Sequence, residues 1–340
     1  MESIKISMEQ YSSQVDFISF TEIFSDNDRK KLFVCDTNTA FLVPEPLSDE
    51  TIIIKAGEQY KQWKSIDKIL ELALRLNLGR DDYIVGIGGG VITDMAAFAS
   101  SLYMRGCKLI LAPTTVLSMV DAAIGGKTGV DYQKYKNMIG SFYPAEQIVI
   151  DPKVTESLKE SEYRSGLAEV IKSALLSGGK FFEFITNNRA GLLERDEQIL
   201  NEAIYNSVML KASIVEKDLR EQNIRGYLNL GHTFGHALET ACDFKGVSHG
   251  EAVAWGIAKA MDAGVMIGKT PDHYANTVKQ LLIDYGFEIR NQNIKTEKVL
   301  EAMTRDKKKR QGKVRFILQK SAGNTFYEIL ENDVILDVIS

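Results

Sequence analysis

Tyr83-Ile84-Val85-Gly86-Ile87-Gly88-Gly89-Gly90-Val91-Ile92-Thr93-Asp94-Met95-Ala96 passes from a β-rich apolar run, through clustered glycines, into a helical pattern. Glycine lets a backbone approach a pyrophosphate closely, and a helix N-terminus offers unpaired N–H groups to it. The usual dinucleotide spacing from Gly86 would need a third glycine at 91, where Val91 stands. A phosphate-bearing nucleotide is therefore expected here, with a plain tight turn as the alternative.

Working outward, similar short apolar runs recur at Lys31–Cys35, Thr51–Lys55, Lys108–Ala112 and Gln147–Ile150. Helical patterns separate them, one spanning Trp63–Leu78. Near-continuous apolar strands spaced by helices predict a parallel sheet covered on both faces. After Asp151-Pro152 helical periodicity dominates, over Ser165–Leu176, Leu200–Glu216, Leu228–Ala241 and Glu251–Ile267, before a β-like return at Lys313–Leu318. The expected organisation is an α/β domain with a Rossmann-like parallel sheet over 1–152 and a mostly α-helical domain over 153–340. Ligands of such folds bind beyond the carboxyl ends of the strands.

The formal charge of −5 argues against general nucleic-acid binding. Arg305-Asp306-Lys307-Lys308-Lys309-Arg310 is an exception, a local anion site or a solvated basic turn. No apolar run is long enough for a membrane span, and Met1–Lys5 lacks the order of a secretory signal. Three cysteines, far apart and in no CxxC motif, suit a reducing cytoplasm.

Asp121-Ala122-Ala123-Ile124-Gly125-Gly126-Lys127-Thr128 superficially resembles a P-loop, but Asp121 occupies the position of its first glycine. Lys127, with Lys136-Asn137 beyond, could hold a phosphate and hydroxyls. Three of the chain's four histidines, His232, His236 and His249, lie close together in sequence. Arg225, Asn229, His232 and His236 are spaced 4, 3 and 4 apart, so on a continuous helix they would share one face. Glu169 and Lys172 form a similar i,i+3 pair in an apolar stretch. Buried without partners such groups would be costly, and a divalent metal held by histidines and a carboxylate would satisfy them. Spacing cannot choose among the three histidines or pick the carboxylate, although His232 with His236 is the naive pair. His273 is expected at the surface.

The ordered motifs Gly88-Gly89-Gly90-Val91 with Asp94, Tyr103-Met104-Arg105-Gly106, Pro113-Thr114-Thr115, Gly125-Gly126-Lys127-Thr128, Lys136-Asn137, Arg164–Lys172, Leu230–His236, His249-Gly250-Glu251 and Asp306-Lys307-Lys308 together resemble the 3-dehydroquinate synthase family of sugar-phosphate cyclases. The likeness runs over roughly residues 30 to 320. It implies NAD on the glycine turn and Zn²⁺, or another divalent metal such as Co²⁺, between the domains. Carried over by motif, Glu169, His232 and His249 are the metal ligands, and His236 becomes a neighbour of the substrate. Arg105, Asp121, Lys127, Lys136, Asn137, Lys211, Arg225, Asn229 and Lys307 match the substrate-binding set, Arg105 reaching across the interface of a homodimer. Lys172, His236 and Glu221 match catalytic positions. Asp36, Asn38, Glu58, Lys61, Gly89, Gly90, Val91, Asp94, Thr114 and Thr115 match nucleotide contacts.

The implied reaction converts 3-deoxy-D-arabino-heptulosonate 7-phosphate to 3-dehydroquinate and phosphate. Transient oxidation at C5 acidifies the C6 proton, phosphate leaves, the hydride returns and an intramolecular aldol step closes the ring. Tyr135 and Thr93 stand where the family commonly has glycine, and Ala122-Ala123 replace a frequent serine pair. Competing readings are a cyclase acting on sedoheptulose 7-phosphate or glucose 6-phosphate, a metal- and NAD-dependent polyol dehydrogenase, and a non-catalytic scaffold.

Overall fold

A computed structural model of the chain describes residues 2–340 except 26–28, 134, 244–245, 291–295 and 310–313. Two compact units emerge: residues 1–158 with 211–220, and residues 159–210 with 221–340.

The first unit contains β1 (Ile4–Met8), β2 (Tyr11–Phe17), α1 (Thr21–Ser25), β3 (Lys31–Asp36), β4 (Thr51–Ile54), α2 (Trp63–Arg75), β5 (Tyr83–Gly88), α3 (Gly90–Leu102), β6 (Lys108–Pro113), β7 (Val130–Tyr132), β8 (Tyr135–Ile139) and β9 (Gln147–Ile150). Seven strands form one sheet in the order β1-β2-β9-β6-β5-β3-β4, parallel except for β1. Each predicted strand of the first half is present. The continuous apolar character of the inner strands is explained by burial on both faces: Leu32, Phe33, Val34 and Cys35 of β3 are all enclosed, whereas Ile53 of edge strand β4 is exposed. On one face Phe33, Cys35, Val85, Ile87, Ile110, Ala112 and Val149 form a core with Phe20 and Ile23.

The chain runs from β3 outward to β4, then returns to place β5 on the other side of β3. That reversal is the switch point at which open α/β sheets bind ligands. Asp36 ends β3, Gly88 ends β5 and Pro113 ends β6, so the residues that follow share one edge.

The second unit contains α4 (Glu160–Ser177), α5 (Gly179–Asn187), α6 (Arg189–Leu193), the greater part of α7 (Glu197–Val215), α8 (His232–Ala241), α9 (His249–Met266), α10 (Asp272–Asp284), α11 (Thr296–Lys309), the hairpin β10 (Arg315–Ser321) with β11 (Asn324–Ile329), and α12 (Asn332–Ile339). α9 is apolar on nearly every side and accordingly buried along its length. The helix read over Leu228–Ala241 begins later than its periodicity suggests, at His232. Ile224–Asn229 is a 3₁₀ turn, and Gly231 at φ +80 separates it from α8. Arg225 and Asn229 therefore do not share a helical face with His232 and His236.

Segment 211–220 is tied to the first unit. Ser7 N donates to the Glu216 carboxylate at 2.9 Å, and Arg220 pairs with Glu9 at 3.3 Å.

Candidate metal and nucleotide sites

In the second unit Glu169 and Lys172 lie on α4, His232 opens α8 and His249 opens α9. Close helix packing brings them together. A Cβ on Gly250 would sit 2.4 Å from the Ser165 backbone, and one on Gly231 would sit 2.8 Å from Val253 O. Only glycine lets α9 approach α4 and α8 so closely, and the left-handed conformation of Gly231 adds its own requirement. Ser248 and Glu251 form a capping box at the start of α9, while Gly250 N donates to Ser165 Oγ at 2.9 Å. His249 is thus held by its own helix start and by a side chain from α4.

The result is a convergence of one carboxylate and two imidazoles, with their donor atoms within 4.8 Å of one another. Glu169 Oε1 is 3.6 Å from His232 Nε2 and 3.4 Å from His249 Nε2. The remaining ring nitrogens face away: His232 Nδ1 meets Leu230 O at 3.3 Å, and His249 Nδ1 meets Glu239 Oε1 at 3.4 Å. Metal-ligating histidines engage their second nitrogen in this manner. Two nitrogen donors and one oxygen donor suit zinc or cobalt, and three protein ligands leave a position open for substrate.

Glu169 and Lys172 are ion-paired and almost wholly enclosed. Burial, then the Lys172 charge, drives the His232 pKa well below its usual value, so the ring is neutral. His249 is opposite. Burial pulls its pKa down, but hydrogen bonds to Glu169 and Glu239 outweigh that and lift it to about 10. A cation beside Glu169 would replace that proton.

His236 stands apart from this group. It is exposed, its ring centroid 5.2 Å from that of His232 and 6.3 Å from that of His249, and it clusters instead with Glu239 and His249. The naive His232–His236 pair is thus replaced by His232 with His249 around Glu169. Arg225 is 2% exposed within the 3₁₀ turn, and Asn229 Nδ2 donates to Glu221. Lys307 falls on α11, but its side chain and those of the surrounding basic run lie outside the described residues. His273 is exposed.

In the first unit a polar cluster surrounds the switch point. Gly89 and Gly90 open α3, and Thr114 N donates to Gly88 O at 3.0 Å. Thr115 is engaged with Ser118, and Val91 lies in the first turn of α3. The Asp36 carboxylate accepts from Asn38 N at 2.8 Å and Thr39 N at 3.1 Å, fixing the turn beyond β3. Lys61 Nζ reaches Asp94 and Asn137, each at 2.5 Å, and Lys136 lies 3.6 Å from Glu58. Asp121 occupies a π-helical turn over Ser118–Ala122, and its carboxylate and carbonyl both accept from buried Lys211. Lys127 is exposed beyond that turn. Arg105 is also exposed, following Met104 in a left-handed turn at φ 49 and 64.

Residues 51–165 match the family model for the 3-dehydroquinate synthase N-terminal region, and 166–309 match that for the C-terminal region. The 3-dehydroquinate synthase of Nitrosospira multiformis is 40% identical over 272 residues, spanning 80% of this chain and 74% of that relative. The chain belongs to the 3-dehydroquinate synthase family.

Solved structures share the family fold at lower identity. A 2-deoxy-scyllo-inosose synthase complexed with carbaglucose-6-phosphate, NAD⁺ and Co²⁺ superposes with a TM-score of 0.90 at 22% identity, covering 99% of each chain. The 2-epi-5-epi-valiolone synthase of Streptomyces hygroscopicus subsp. jinggangensis 5008, with NAD⁺ and Zn²⁺ bound, gives 0.87 at 22% identity, covering 98% of this chain and 97% of that one. Glu239, Ser165 and Ser248 support the site in ways that sequence reasoning did not assign. Glu239 carried one signal, its position seven residues after His232 and three after His236 on the same helical face.

Proposed function

We infer that this chain converts 3-deoxy-D-arabino-heptulosonate 7-phosphate to 3-dehydroquinate and inorganic phosphate. NAD would be held at the glycine turn, and a divalent cation, Zn²⁺ or Co²⁺, by Glu169, His232 and His249. The observation that carries this reading is the convergence of those three donors in a member of the family.

The chemistry the bound groups supply is reversible hydride acceptance and Lewis-acid polarisation of the oxygen being oxidised. The protein supplies the rest. Buried His232 is kept neutral, so its Nε2 offers a lone pair rather than a proton. Lys172 balances the Glu169 charge and is placed to hold or donate a proton at a substrate oxygen. His236, solvent-accessible beside the donor cluster, exchanges protons with water. Arg225, with Asn229 oriented by Glu221, takes the substrate carboxylate in the bidentate manner available to a guanidinium.

Lys127, Lys136 and Lys307 supply cationic charge for the phosphate, which an otherwise acidic protein must concentrate locally. Arg105 is assigned to the phosphate bound by the partner subunit of a homodimer, in keeping with its exposure. Lys211 and Asp121 brace one another and orient the turn leading to Lys127. Asp36, Asn38, Glu58, Lys61, Asp94, Thr114 and Thr115 form the nucleotide contacts around Gly89, Gly90 and Val91. Among the described residues no helix is long and apolar enough to cross a membrane. The cytoplasm, where NAD and reduced thiols abound, is the assigned location.

Incubation with NAD⁺, Zn²⁺ and a panel of sugar phosphates tests the reading. Phosphate release and a carbocycle identified by mass spectrometry are expected only with the heptulosonate, without NADH accumulation. Turnover confined to seven-carbon substrates lacking the carboxylate would assign a different cyclase activity. Stoichiometric NADH would assign a dehydrogenase.

A further inference from the structure

Glu239 lies two turns along α8 from His232 and is about 9% exposed. A carboxylate so enclosed needs a defined electrostatic reason, because desolvating an ionised group is costly. Its Oε1 is 3.4 Å from His249 Nδ1, while the opposite ring nitrogen, Nε2, is 3.4 Å from Glu169. The His249 imidazole is therefore gripped between two carboxylates, one at each nitrogen.

We propose that Glu239 is a positioning residue of the metal centre. Its carboxylate accepts the Nδ1–H of His249, fixing the tautomer and ring orientation that present Nε2 beside Glu169 and His232. The proposal rests on the reading of those three residues as ligands and adds a fourth, which does not itself touch the ion. Geometry favours this role over that of a ligand to a second ion with His236. A cation at Nδ1 would displace the very proton whose hydrogen bond to Glu239 leaves Nε2 as the donor, and it would place two like charges on one imidazole.

The test compares wild type, Glu239→Ala, the near-isosteric Glu239→Gln and Glu169→Ala. Zn²⁺ affinity and stoichiometry are read by competition with a chromophoric chelator, and the Co²⁺ ligand field by its visible absorption. The expected result is one ion per chain in wild type and loss of binding in Glu169→Ala. Glu239→Ala should bind about 10- to 100-fold more weakly with a shifted Co²⁺ band. Glu239→Gln should lie between, since its amide oxygen can still accept from Nδ1 without the charge.

Wild-type affinity and spectrum in both Glu239 variants, with binding lost in Glu169→Ala, would overturn the positioning role and leave the ligand set intact. Unchanged binding in Glu169→Ala would overturn the ligand set, and this proposal with it. A second equivalent bound by wild type and lost only in the Glu239 variants would make Glu239 a ligand and refute the assignment.

Discussion

Lys61 Nζ lies 2.5 Å from Asp94 Oδ2, an ion pair whose side chains are 5% and 18% exposed. The same ammonium reaches Asn137 on β8, so one buried cation joins the start of α3 to the β7–β8 hairpin. Burial lifts the Asp94 pKa from 3.8 to about 6 despite the neighbouring Lys61 charge, while Lys61, whose own burial works the other way, is raised by Asp94. The folded protein consequently holds the Asp94 proton more tightly than the unfolded chain. Its contribution to stability is present below pH ~4 and is lost as the pH rises through about 6.

Asp94→Asn removes that dependence. The stability difference between variant and wild type, measured by urea unfolding across pH, should move in the variant's favour by on the order of 2 kcal/mol from pH ~4 to ~6 and then level off. A difference that stays constant across that range would show that Asp94 does not titrate there.

Gly231→Ala should be more damaging than its single methyl group suggests. The residue is left-handed at φ +80, and a Cβ would lie 2.7 Å from the Ile257 side chain and 2.8 Å from Val253 O. A loss of roughly 2–4 kcal/mol is expected, together with weaker Zn²⁺ binding as α8 is pushed from α9. Unfolding and chelator competition read the two effects. Full stability would contradict the close packing described.

How much of this was legible in the sequence follows from where each residue's partners lie. Strands β3, β5, β6 and β9 were readable because enclosure on both faces writes uninterrupted apolar residues into the chain, whereas edge strand β4 was readable from its β-branched run Thr51–Ile54 although Ile53 is exposed. β1 alternates buried Ile4, Ile6 and Met8 with exposed polar residues, a two-residue period too short at five residues to stand out beside the continuous apolar runs. The β7–β8 hairpin has an exposed strand, Tyr135–Ile139, with no burial period to read. The polar stripe was legible only from His232 onward, because helical spacing assumes a continuity that the left-handed Gly231 breaks. The partnership of His249 with Glu169 was invisible to spacing, since it joins separate helices; resemblance to a family suggested it. Glu239 went unnoticed because a carboxylate on a helix resembles a solvated residue until tertiary packing encloses it.

Ser248→Ala removes the hydroxyl that accepts Glu251 N and so opens the capping box at His249. A stability loss of about 1 kcal/mol is expected from urea unfolding of the metal-free protein. Zn²⁺ affinity should fall with it, because the cap fixes the first residue of α9. Reduced stability with unaltered affinity would separate the cap from the metal site.

Arg225→Ala should distinguish substrate from cofactor. Truncating a buried guanidinium that pairs with a carboxylate costs about 2–5 kcal/mol, so heptulosonate affinity should fall at least ~30-fold. NAD⁺ affinity, measured by calorimetry in the same variant, should change less than about twofold. Equal loss of both ligands would contradict the assignment of Arg225 to the substrate carboxylate.

The most direct measurement is anomalous diffraction at the zinc edge from crystals of the protein grown with Zn²⁺ and NAD⁺. A single ion bonded to Glu169, His232 Nε2 and His249 Nε2 is the predicted result. Those three side chains turned apart, or zinc bound only at other residues, would contradict it.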